Sequence, residues 1–240
     1  PTIWRLTLPN LLAMTAGTLV SIAETWYVGY LGTMSLAGIA LVFPCIMLQQ
    51  MLSAGSMGGG ISSAVSRALG ANDLGKANAL VLHAALICLG MGLFFTFVFI
   101  VWGEPIFRLL GGQGEALVQS LAYANVAFWG AASIWLTNGF ASVIRGSGNM
   151  KTPSLVLLIA CVAQVTLSGV LGLGWGPIPS FGMAGIAMGY VIAFSASTLY
   201  LFAYLRSSRS MLRLSFKSPL SKPLFMDILK VGAMSSLSTL

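Results

Sequence analysis

Six runs of mostly apolar residues, each long enough to cross a bilayer, follow one another along this chain with only short polar turns between them. A helix rises about 1.5 Å per residue, so some twenty apolar residues span roughly 30 Å of hydrocarbon. The runs cover about 8–28, 36–63, 79–102, 118–144, 153–174 and 182–205, and a seventh starts near Ile228 and is cut off at Leu240. The second and fourth are long enough to tilt or to extend past the membrane. Only 7% of residues are charged and 57% are hydrophobic, whereas soluble domains carry roughly a quarter charged residues. The fold class that follows is an all-α integral membrane protein. Residues 1–205 are expected to form a six-helix bundle, 206–227 a basic linker, and 228–240 the opening of a second lobe, its helix an unpaired stub. The first residue is Pro1 and no signal-peptide pattern precedes a polar domain, so the start is expected to be trimmed.

Lys and Arg accumulate in the cytoplasmic loops of membrane proteins. An N-terminus inside the cell places every Lys and Arg except Arg108 on the cytoplasmic side, and the reverse topology inverts that bias. Trp26, Tyr27, Trp102 and Trp175 then fall at outer helix ends, where interfacial aromatics belong. The net charge of +7 is accounted for by this asymmetry and calls for no nucleic-acid partner. Its densest part, RSSRSMLRLSFKSPLSKP, reads as a cytoplasmic linker, with an anionic-lipid site as the rival reading.

Several chemistries lack their residues. Cys45, Cys88 and Cys161 lie in separate runs without CxxC spacing, so neither a disulfide framework nor a zinc site is indicated. SAGSMGGGISS has no Lys and no preceding strand, which excludes a phosphate loop. Gly55 and Gly59 within it have GxxxG spacing, for close packing or a flexible hinge point. His83 stands alone and reads as a packed or interfacial residue. No Ser-His-Asp set or HExxH motif supports an enzyme, and no cofactor or metal is implied.

Glu24 is the residue that the bilayer makes costly, being the only acidic side chain before Asp73. On a helical wheel Asn10, Ala13, Gly17, Val20 and Ser21 share its side, while Leu8, Leu11, Thr15, Leu19, Ile22 and Trp26 lie opposite. The carboxyl therefore faces other helices, beside small residues that permit close contact or leave open volume. Burial disfavours its charged form and a nearby cation favours it, which lets one site hold either a proton or a cation. The bland alternative is a carboxyl that reaches the outer interface and only anchors the helix end.

IWRLTLPNLLAMT before the first run and ILKVGAMSSLSTL at the seventh match at Ile3/Ile228, Arg5/Lys230 and Leu12/Leu237, so the chain starts over after its linker. Together with RLTLPN, TWYVGYLG, GGGISSAVSRALGANDLGKA, IRGSGNMKTP and WGPIPSFGMAGIAMGY, met in that order, the chain resembles the multidrug and toxic-compound extrusion (MATE) transporters. The resemblance implies one lobe of a twelve-helix transporter that exports organic, often cationic compounds in exchange for protons or sodium ions. It also implies a missing C-terminal lobe and a bacterial cytoplasmic (inner) membrane. By the same resemblance Pro9 and Glu24 occupy the places of a first-helix proline hinge and a cation-binding acid. Gln164 and Ser168 stand where many bacterial relatives have Asn and Asp, and Tyr190 where a Thr is common. One carboxylate with neutral partners favours protons over sodium, which needs several hard oxygen ligands.

Candidate cavity residues are Gly17, Ser21, Phe43, Gln49, Gln50, Trp129 and Trp135, whose apolar and aromatic surfaces suit lipophilic cations. Gln49 and Gln50 could equally hydrogen-bond neighbouring helices. Two rival functions are a lipid-linked precursor flippase of the same superfamily, for which the runs lack the expected basic residues, and a membrane scaffold without transport.

Overall fold

A computed structural model describes residues 2–176, 178–215 and 220–237, with side chains over 15–234 of that range. The Pro9 side chain, Lys217 and the side chains of the Ile3, Arg5, Leu12 and Leu237 repeat pairs lie outside the described residues. Everything regular among the described residues is helical: α1 (Thr2–Leu31), α2 (Thr33–Gln50), a π-helical turn (Met51–Met57), α3 (Gly58–Gly70), α4 (Leu74–Leu109), α5 (Gly114–Trp129), α6 (Ala131–Gly146), α7 (Lys151–Leu173), α8 (Gly182–Arg206) and α9 (Lys222–Leu237).

The second apolar run is α2, the π turn and α3 in continuous succession, and with α4, α7 and α8 it is long and apolar enough to cross a membrane. The fourth run is two helices. Gly130 breaks it with φ −83° and ψ 2°, and a Cβ there would lie 2.5 Å from Val191 Cγ2. The absence of a side chain at Gly130 lets Val191 of α8 approach. Between α4, α5 and α6 lies an aromatic core: Phe99 and Phe128 stack at 3.7 Å and 5°, and Trp135 packs on Phe95 at 5.7 Å.

Helices α7 and α8 pack closely along much of their length. A Cβ at Gly185 would strike the Leu171 carbonyl, and one at Gly189 would strike the Ser168 backbone. Small residues at four-residue spacing on both helices, Ser168/Gly172 and Gly185/Gly189, allow this approach. Gly55 and Gly59, expected to pack closely or to flex, have no atom within 4 Å of a built Cβ. The close contacts belong to their neighbours. Gly58 faces Ser142, and Gly60 faces the backbone of Ile228 and Gly232. Among the described residues neither Gly55 nor Gly59 has a close packing partner. Gly55 does lie in the π turn, where the backbone departs from α geometry.

The start of the seventh helix is no stub. α9 is seated on α3, the π turn and α4, with Lys76 Nζ 2.7 Å from Asp227 Oδ2. Arg67 Nη2 donates to Asp227 O at 3.3 Å. Gly60 receives α9, since a Cβ there would lie 2.7 Å from Ile228 O, and this packing corrects the expected unpaired helix. His83 is fully buried at this junction: its ring meets Phe225 at 4.5 Å, and its Nε2 accepts from Ser221 N at 3.0 Å. The linker folds back as well, with Arg213 N donating to Asn78 Oδ1 at 2.7 Å and Leu212 buried.

Candidate cation-coupling site

Glu24 stands on α1 two turns before that helix ends, on the flank that meets α7. Val20, Tyr27 and Val28 on the same flank are buried, while Leu19, Ile22 and Trp26 are exposed. The carboxyl is partly buried, and its Oε1 accepts from Gln164 Nε2 at 2.8 Å. One turn further along α7, the fully buried Ser168 donates its hydroxyl to Ile186 O at 2.9 Å and also interacts with the Glu24 carboxyl. A hydroxyl has one proton, so the carboxyl and the Ile186 carbonyl compete for it. Gly189 permits this geometry, because a side chain there would push Ser168 away.

Around this pair lie Tyr27 on α1, Cys161 on α7, Tyr123 on α5 and Tyr190 on α8, all within electrostatic range of Glu24. Among the described residues no Lys, Arg or His forms an ion pair with it. An acid in a low-dielectric setting with neutral hydroxyl and amide neighbours can hold a proton. It can also hold a cation when the surrounding oxygens turn toward one. The carboxylate offers two oxygens and the Gln164 amide, Ser168 and Tyr190 one each. None of the last three is anionic, which leaves a weakly charged cage for a sodium ion.

A second polar group continues from Tyr190. Its hydroxyl accepts from Gln50 Nε2 at 3.0 Å, and Gln50 Oε1 accepts from Asn138 Nδ2 at 3.1 Å. Asn138 Nδ2 also donates to Ser53 Oγ at 2.8 Å. Asn138, Ser53 and Tyr123 were not among the expected site residues. Asn138 had a signal, since an amide deep in an apolar run is costly and most often paired. Ser53 and Tyr123 had none, because hydroxyls are common in such helices.

The other cavity candidates scatter. Gly17 is exposed with open space where a Cβ would stand, and the half-buried Ser21 donates to Gly17 O at 3.3 Å. Phe43 and Trp129 are exposed and share no hydrogen bond or ring contact with the Glu24 group. Gln49 is buried with neither amide atom hydrogen-bonded to protein, so it neither lines an open surface nor bridges helices. Trp135 is fully buried against Phe95, and its placement on a cavity wall is corrected to the aromatic core.

The family model MatE matches residues 9–170. The chain belongs to the MatE family. Among curated relatives of this MatE chain, the probable multidrug resistance protein YoeA of Bacillus subtilis is 26% identical over 99% of the chain and 53% of its own length. A FAD transporter of Shewanella oneidensis is 27% identical over 77% of the chain and 40% of its own length. The multidrug export protein MepA of Staphylococcus aureus is 26% identical over 92% and 49%. A solved transporter of the MOP superfamily from Pyrococcus furiosus superposes with a TM-score of 0.90 at 29% identity, over 98% of this chain and 52% of that one. An outward-facing multidrug resistance MATE transporter gives 0.90 at 28%, with the same coverage. The chain spans about half the length of the relatives it matches, and those relatives are transporters, not enzymes.

Proposed function

We propose that this MatE chain is the N-terminal lobe of a proton-coupled exporter of organic, mainly cationic compounds, working by alternating access against a second lobe that starts at α9. The observation that carries the reading is the Glu24 carboxyl held by Gln164 between α1 and α7, with only neutral partners around it. A single acid of this kind can take up and release one proton per cycle. Sodium is less well supplied, because the position of a second carboxylate is occupied by Ser168. The boundary between lobes falls within 206–227, and the excess of Lys and Arg at one end of the bundle supports an N-terminus in the cytoplasm of a bacterial cell.

The test is efflux from proteoliposomes of the full-length protein, under an imposed pH gradient and then an imposed sodium gradient. Glu24→Gln keeps the volume and removes the charge, so proton-driven efflux of a cationic dye is expected to fall at least tenfold while the protein stays folded. Full proton-driven efflux in that variant overturns the assignment. A flavin nucleotide should compete poorly with the dye, since the Glu24 group holds no cation to receive its phosphates. Preferential flavin export would move the substrate class toward that of the Shewanella relative.

A further inference from the structure

A groove runs between α7 and α8 toward the end of the bundle that carries the basic residues. Its floor is made of small side chains, Ala160 and Ala163 on α7 and Ala196 on α8, and its rims of Leu155, Ile159 and Tyr200, with a volume of about 270 Å³. The three rim residues are 59%, 60% and 56% exposed. α9 sits on α3 and α4, so the start of the second lobe leaves this groove open. An apolar groove of this kind on a membrane-spanning helix pair is filled by hydrocarbon, and its volume lies below the roughly 300–1,000 Å³ typical of drug-sized sites.

Charge specifies the occupant further. Lys151 begins α7, one turn or about 6 Å before Leu155, and Arg206 ends α8 about 9 Å beyond Tyr200. The two helices are antiparallel, so both cations stand at the same end of the groove. Both are exposed, and the Arg206 guanidinium is held 5.8 Å over the Phe202 ring. The acidic residues of the chain are Glu24, Asp73, Glu104, Glu115 and Asp227, none of them on this end of α7 or α8. Among the described residues neither Lys151 nor Arg206 has a carboxylate partner. Two unpaired cations at the membrane surface above an acyl-sized groove complement one molecule, a phospholipid with an anionic headgroup.

We propose that the α7/α8 groove is a binding site for an anionic phospholipid, one acyl chain lying along Ala160, Ala163 and Ala196 and the phosphate held between Lys151 and Arg206. The site is separate from Glu24 and does not depend on which ion drives transport. It differs also from a diffuse attraction of the basic linker for the membrane, because it requires a chain in the groove and a headgroup at its end.

The test is native mass spectrometry of the full-length protein in detergent, titrated with phosphatidylglycerol or with phosphatidylcholine of the same chains. One phosphatidylglycerol adduct is expected to survive at several times the abundance of its phosphatidylcholine counterpart. In K151Q/R206Q that adduct should fall to the phosphatidylcholine level. Ala196→Phe, at an exposed position, fills the groove and should remove the same adduct with both cations present. Glycerol phosphate, a headgroup without chains, should not be retained. An unchanged phosphatidylglycerol preference in either variant overturns the site, and equal retention of glycerol phosphate reduces it to a surface anion contact.

Discussion

Gln164 Nε2 on α7 donates to Glu24 Oε1 on α1 across 2.8 Å, joining two helices that lie far apart in the chain. A hydrogen bond to a charged group contributes about 1.5–3 kcal/mol, roughly ten- to a hundredfold in an equilibrium. Gln164→Leu is expected to slow proton-driven efflux about tenfold and to lower stability by about 1–3 kcal/mol, because leucine fills the volume but leaves the Glu24 carboxyl without its donor. Efflux rate and melting temperature in detergent, measured together, separate coupling from folding. A large fall in melting temperature with normal efflux per folded molecule would reduce the contact to packing.

Ser168 stands beside the same carboxyl, and its replacement tests the choice of ion. Ser168→Asp supplies a second carboxylate where only a hydroxyl now stands, and efflux is expected to become stimulated by a sodium gradient. Glu24→Asp shortens the arm by a methylene and opens the contact to Gln164, so part of the proton-driven activity should remain. A Ser168→Asp protein that folds and shows no sodium dependence counts against a cage built from these residues.

The long apolar runs made an all-helical membrane fold legible, because the bilayer dictates length and composition together, and four spans among the described residues are long and apolar enough to cross it. The side that Glu24 faces was legible too, since the wheel put Leu19, Ile22 and Trp26 opposite and all three are exposed. Which residue meets Glu24 was not. Gln164 lies 140 positions away, and its pairing came from family resemblance, not from periodicity. Glycine spacing names no partner for a related reason. GxxxG marks where helices can approach, but a partner must be there. Gly185 and Gly189 have one in α7, whereas Gly55 and Gly59 face open space.

That contrast gives a stability prediction. A Cβ at Gly189 meets the Ser168 backbone, which cannot move as a flexible side chain would. Gly189→Ala is therefore expected to cost about 1–3 kcal/mol as overpacking and to lower the melting temperature by several degrees. It should also weaken coupling, because Ser168 is displaced from Glu24. Gly55→Ala meets nothing within 4 Å and should be neutral or slightly stabilising. Equal melting temperatures for the two variants would mean that α7 and α8 are not held as closely as described.

His83 provides the last prediction, on the junction between the lobe and α9. Its Nδ1 lies 2.8 Å from Ala79 O, and its Nε2 accepts from Ser221 N at 3.0 Å. A ring with one N–H satisfies both contacts when Nδ1 donates to Ala79 O and Nε2 accepts from Ser221 N. His83→Ala removes the acceptor and the ring that packs on Phe225, leaving the Ser221 N–H stranded at a part-buried position, at a cost of about 1–3 kcal/mol. The nearby pair Lys76 and Asp227 is partly exposed on both sides, and Lys76→Ala should cost no more than about 1 kcal/mol. Limited proteolysis of the full-length protein reads the difference. Tryptic cleavage after Lys230 on α9 should accelerate strongly in His83→Ala and only slightly in Lys76→Ala, because the buried acceptor, not the exposed ion pair, holds the start of α9 against α4. Faster cleavage in Lys76→Ala than in His83→Ala would reverse that order and make the ion pair the principal clasp.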